Sequence, residues 1–232
     1  MLRAALLGLA VFLAQPAAAE IISARYTDPT TRYDHGILGD AIEYGALEMT
    51  LKSGRRLRLV LPDTRVFEDI APRLADLDHD GAPEVIVVET DLSRGARLAV
   101  YGEKGLIAAT PFIGRTHRWL APVGAADLDG DGFTEIAYVD RPHLAKLLKV
   151  WRFRNGRLEP VAQLQGLTNH QIGQDHITGG IRECSDGPEI ITLDGNWKRI
   201  MATRLQGGRL KSRMIGTATS PEAVAKAMRC QE

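Results

Sequence analysis

Two short acidic stretches hold the residues whose types and spacing could do chemistry: Asp76-Leu77-Asp78-His79-Asp80-Gly81-Ala82-Pro83-Glu84 and Asp127-Leu128-Asp129-Gly130-Asp131-Gly132-Phe133-Thr134-Glu135. Each places carboxylates at positions 1, 3, 5 and 9 around a glycine at position 6. Alternate side chains of a tightly turning loop can converge on one point. Asp76, Asp78, Asp80 and Glu84, joined by the Ala82 carbonyl, would then offer a hard divalent cation the oxygen ligands it takes, and Asp127, Asp129, Asp131, Glu135 and the Phe133 carbonyl would do the same. Without a cation the carboxylates repel one another, so the spacing makes most sense as a metal site; the plainer alternative is an acidic turn with no metal.

The elements that must position these loops follow directly. Each loop runs into an apolar, strand-like stretch, Val85 to Val88 and Ile136 to Val139. An EF-hand would need a bidentate Glu at position 12 and a helix on either side. Position 12 holds Val87 in one loop and Tyr138 in the other, so neither is an EF-hand. A loop of the form D-x-D-x-D-G-x-x-E leading into a strand resembles the FG-GAP, or VCBS-type, repeat of integrin-like β-propellers. That resemblance implies a structural calcium ion, one or two in this chain, in the turn between the first two strands of a blade.

Internal repetition supports the same architecture. At the 51-residue offset from Asp76 to Asp127, Leu77 meets Leu128, Gly81 meets Gly132, Glu84 meets Glu135 and Val85 meets Ile136. Downstream of each loop an alternating strand, a tight glycine turn and another strand read as a hairpin, at Arg97 to Ile107 and at Leu147 to Leu158. The hairpin recurs at Ala46 to Leu61 and at Trp197 to Leu210. Before the last one, Asp186-Gly187-Pro188-Glu189 echoes the end of the first loop, but Ile181, Glu183 and Ser185 stand where the first three carboxylates should be. That copy reads as a decayed metal site. The expected fold is all-β: a small β-propeller of about four four-stranded blades with a short C-terminal helix over Pro221 to Met228, capped by Ser220. Ile21 to Tyr26 reads as a strand that would close the ring on the last blade.

Met1 to Ala19 has an early positive charge at Arg3, an apolar run from Ala4 to Ala14 and a small-residue end. It reads as a secretory signal peptide cleaved near Ala19, too short in its apolar run to anchor in a bilayer, with 20–232 as one propeller domain, periplasmic or secreted. Basic and acidic residues balance at 29 each, which argues against nucleic acid as a partner, and no later stretch is long and apolar enough for a membrane span. The two cysteines, Cys184 and Cys230, read as one disulfide in an oxidising compartment, the alternative being two buried thiols.

The sequence holds no nucleophile elbow, phosphate-cradling glycine loop or H-E-x-x-H. Asp-His pairs at Asp34-His35 and Asp175-His176 precede inner-strand positions, as do Glu68-Asp69 and His117-Arg118-Trp119. In a propeller these segments would meet at the channel mouth, making His35, Asp69, Trp119, Asp175 and His176 a candidate ligand site; the plainer alternative is hydrogen-bonded turns between blades. The expected function is a calcium-bearing module that binds a protein or glycan. The alternative is a periplasmic hydrolase or lyase using the Asp/His groups.

Overall fold

A computed structural model describes residues 20–218 and 220–231; the expected signal peptide lies outside them. The fold is nearly all β and propeller-like. The first unit is a three-stranded meander of β1 (Ile21–Thr30), β2 (Glu43–Leu51) and β3 (Arg56–Val60), with β2 in the middle. A short β4 (Arg65–Phe67) then bridges β2 to the next unit. The second unit is β5 (Arg73–Ala75), β6 (Glu84–Asp91), β7 (Gly95–Gly102) and β8 (Gly105–Ala109), and the third is β9 (Leu120–Ala126), β10 (Glu135–Asp140), β11 (Leu147–Arg154) and β12 (Arg157–Gln165). After the short β13 (Leu167–Thr168), the fourth unit is β14 (Gly180–Cys184), β15 (Gly187–Asp194), β16 (Arg199–Gln206) and β17 (Arg209–Thr217). Helix α1 (Pro221–Met228) ends the fold, and the Ser220 side chain accepts a hydrogen bond from the Ala223 amide at its start.

The four hairpins expected from sequence all form. Asn155-Gly156 and Gly207-Gly208 have positive φ at both turn residues, as a two-residue turn between right-twisted strands requires. Strand β6 is buried along its whole length because units on both sides cover it, which is why Val85 to Val88 shows no alternation in the sequence.

Core clusters run in series along the units. One packs the first unit on the second through Leu47, Met49, Phe67 and Val87; the next joins the second and third through Ile86, Leu98, Trp119 and Ile136; the third joins the third and fourth through Val139, Leu148, Ile190 and Leu205. Ile191 and Leu193, on the other face of β15, pack instead against Val224 and Ala227 of α1. The helix therefore covers the face of the last blade that points away from its neighbour. The outward face of the first unit is polar, with the ion pairs Arg25–Glu48 and Arg58–Asp28. Both ends of the series are thus finished in the manner of capping repeats.

Two expectations are corrected. Strand β1 pairs with β2 and does not complete the last blade, and the first unit has three strands because β4 leaves it to bridge. The first and fourth units meet through loops, where the Gly173 amide donates to the Ile37 carbonyl at 3.0 Å. No helix among the described residues is long and apolar enough to cross a membrane. Cys184 and Cys230 are joined in a disulfide that ties α1 to the turn between β14 and β15.

Candidate functional site

The two acidic loops join the first and second strands of the second and third blades, and they share three hydrogen bonds while differing at the first aspartate, where Asp127 Oδ1 accepts from the Gly130 and Asp131 amides and Asp76 Oδ1 from neither counterpart. In the first, Gly81 N donates to Asp76 Oδ2 at 3.0 Å, Ala82 N to Asp80 Oδ1 at 2.7 Å and Leu77 N to Glu84 Oε2 at 2.9 Å. In the second, Gly132 N donates to Asp127 Oδ2 at 2.9 Å, Phe133 N to Asp131 Oδ1 at 3.0 Å and Leu128 N to Glu135 Oε2 at 2.9 Å. The position-6 glycines have φ of 89° and 87°, so the turn demands the residue that the sequence supplies. His79 bridges the pair, its Nε2 lying 3.3 Å from Thr134 Oγ1.

Carboxylate oxygens of Asp76, Asp78 and Glu84 lie within 4.8 Å of one another, as do those of Asp127, Asp129 and Glu135. Asp80 and Asp131 stand outside these clusters, each with an oxygen held by a backbone amide. The residues fit a hard cation. Asp76 Oδ1 is buried without a hydrogen-bond partner, an arrangement that is costly unless something positive meets it. The Glu84 carboxyl is pushed up to about 7, first by burial and then by the Asp78, Asp80 and Asp76 charges, against the pull of the Leu77 amide. Burial also raises Glu135, but Arg152 opposes it. Arg152 reaches Asp129 at 2.8 Å, Asp131 at 2.7 Å and Glu135 at 2.5 Å. The first loop has no such neighbour: Val85 pairs with Tyr101, and the residue after it is Gly102.

The five residues expected at a channel mouth do not form one site. Asp69 is buried in an ion pair with Arg73 at 2.6 Å and faces Tyr26. Asp175 and His176 pair only with each other at 3.1 Å, their side chains 94% and 61% exposed. His176 borders a different hollow, formed with α1 and Trp197.

His35 and Trp119 do come together, in a cleft of about 340 Å³ that also takes in Ile37, His117, Arg118, Arg141, His143 and Ile172. Beneath it, His35 Nδ1 is hydrogen-bonded to the fully buried Glu68, whose other oxygen accepts from Thr90 Oγ1 at 2.6 Å. Trp119 Nε1 donates to the Glu68 carbonyl at 2.8 Å, and the His35 and His117 rings stack with centroids 5.1 Å apart. His143 Nε2 lies 3.1 Å from His170 Nδ1. Sequence reasoning named Glu68 and His117 only as neighbours and drew nothing from His143 and His170. The one available signal was number: four of the chain's six histidines gather here.

Comparison with known proteins agrees with the loops. A model of the FG-GAP-like repeat matches residues 71–138. Among solved structures the chain is similar to an exotype rhamnogalacturonan lyase, YesX, at 14% identity and a TM-score of 0.45, over 83% of this chain and 48% of that one. The chain thus spans about half the length of that structure. No curated protein matches. The matched stretch runs from before β5 into β10 and holds both acidic loops.

Proposed function

We propose that the protein is an exported, calcium-stapled propeller-like module whose task is binding, to a protein or a glycan. The observation that carries this reading is the twin loop: two segments with three hydrogen bonds in common, each converging three carboxylates, in a family-matched stretch. Asp76, Asp78, Glu84 and the Ala82 carbonyl would hold one ion, Asp127, Asp129, Glu135 and the Phe133 carbonyl the other; Asp80 has a second oxygen to offer, and Asp131 would have to exchange Arg152 for the ion. The cation would supply the positive charge that the first turn lacks and that Arg152 supplies only from one side in the second. Because it binds the folded loop and not the unfolded chain, its affinity becomes folding stability.

Export is supported by the Cys184–Cys230 disulfide and by the composition of the first nineteen residues. The hydrolase or lyase alternative gains nothing from Asp175 and His176, which pair only with each other and point into solvent.

Thermal unfolding in chelator and then in graded calcium tests the proposal. The melting temperature rises with calcium by several degrees, as about 2–3 kcal/mol of ligand linkage requires at about a hundredfold excess over Kd. An unchanged melting temperature across the titration contradicts it.

A further inference from the structure

We propose that the cleft between His35, His117, Arg118 and His143 binds a small hydroxy acid with an apolar body. This goes beyond the calcium loops and does not depend on them. The first support is charge. In a chain with equal numbers of acidic and basic residues, the cleft is lined by two arginines and three histidines and by no carboxylate. Arg141 is committed to the buried Asp140, at 2.8 Å. Arg118 has no ion-pair partner among the described residues, so its guanidinium is the cation available to a carboxylate, which it suits by its fork of donors. The nearby acids do not compete inside the cleft: Glu68 lies buried under His35, and Asp34 stands in solvent at 3.4 Å from His117 Nε2.

The second support is a fixed acceptor. A carbonyl only accepts, so the 2.9 Å contact to the Gln174 oxygen places the proton of His170 on Nε2. Its Nδ1 then accepts from His143 Nε2–H, and His143 Nδ1 keeps a lone pair. Burial, and then the neighbouring His170 ring, lower His143 to about 4, so the ring stays neutral at ordinary pH. His35 Nδ1 is held by the Glu68 carboxyl, so Nε2 is the ring nitrogen left for a ligand. A ligand hydroxyl is the natural donor to the His143 nitrogen.

The third support is shape. Leu144 and Ile172, 62% and 70% exposed, form an apolar rim, and about 340 Å³ admits a small ring with its substituents. His117 and Arg141 both hold positive φ, 55° and 48°, a conformation that non-glycine residues avoid and that collects at ligand sites.

Mandelate carries the carboxylate, hydroxyl and apolar body together and serves as the probe, with phenylacetate lacking the hydroxyl and mandelamide lacking the charge. Titrations of the full protein followed by calorimetry and by histidine ring resonances read the result. Mandelate binds saturably and shifts His35 and His143; phenylacetate binds about fivefold more weakly and mandelamide about tenfold more weakly, as loss of a neutral and of a charged hydrogen bond predict. Arg118→Ala, or Arg118→Gln should the first fail to fold, loses about tenfold in mandelate affinity with the melting temperature unchanged. Absence of saturable mandelate binding, equal binding of all three probes, or full affinity in the folded Arg118 variant overturns the proposal.

Discussion

The same corner of the blade is built in two ways. In the second and third blades the glutamate that ends the acidic loop pairs across the sheet with an alanine, Ala75 opposite Glu84 and Ala126 opposite Glu135. In the fourth blade Glu189 faces Arg182, and that pair is almost wholly enclosed, at 4% and 1% exposure. Arg182 Nη2 lies 2.6 Å from Glu189 Oε2, and Arg204 and Arg213 reach the other oxygen at 2.7 and 3.0 Å. The Glu189 carboxyl is held below its usual range by these arginines despite its burial, whereas Glu84 is pushed up. On the proposed reading, one fold would solve one electrostatic problem either with an external cation or with a built-in guanidinium. Arg182 also donates to the Ala227 carbonyl at 2.6 Å, satisfying the last turn of α1. One side chain therefore joins the Glu189 corner of the fourth blade to the terminal helix. The third blade is intermediate, keeping its loop while Arg152 leans on three of its carboxylates.

The sharpest way to break this comparison is Arg182→Ala. It leaves Glu189 buried with its main partner gone and frees the end of α1, so the expected loss is about 3 kcal/mol, at the lower end for a severed buried pair because Arg204 and Arg213 remain. Denaturant unfolding measures it, and a loss equal to that of a surface arginine would mean that the guanidinium does not stand in for a cation.

A smaller effect separates the two glutamates by pH. In calcium-free protein Glu84 holds its proton in the folded state up to about 7 but releases it near 4.5 when unfolded. Its contribution is complete below the lower value and is lost as pH rises through the upper one, at about 1.4 kcal/mol per pH unit at the steepest. Glu84→Gln in chelator should flatten that decline. Glu189, with its carboxyl held low, runs the opposite way: its contribution is present above its ordinary value and fades on acidification, so Glu189→Gln loses stability at neutral pH. Unfolding curves from pH 4 to 8 distinguish the pair, and parallel slopes in the two variants would erase the contrast.

The acidic loops were legible because everything they need is local: nine residues set the spacing, the glycine and the strand that follows. The same holds for the hairpins and for α1, whose Ser220 and Pro221 announce its start. What lay beyond reach was assembled across distance. Tyr33 meets the His117 amide from 84 positions away, and Trp119 reaches the Glu68 carbonyl from 51. No local pattern ties Glu68, His117, His143 and His170 into one cleft, and the Asp-His pairs that looked alike in sequence part company because Asp175-His176 lies on an exposed loop. The pairing of Arg182 with Glu189 was hidden for a related reason. The missing carboxylates were visible, but strand register alone shows that an arginine on β14 falls opposite Glu189 where the other blades have alanine.

The central claim is that the loops of the second and third blades take calcium while the corner of the fourth does not. Equilibrium dialysis against radioactive calcium tests it directly, using the intact protein, Asp129→Ala and Glu189→Gln. The account predicts one ion per acidic loop, with the second loop filling at higher calcium because Arg152 must yield, one ion fewer in Asp129→Ala, and no change in Glu189→Gln. No bound calcium in the intact protein, or a count that Asp129→Ala leaves untouched, contradicts it.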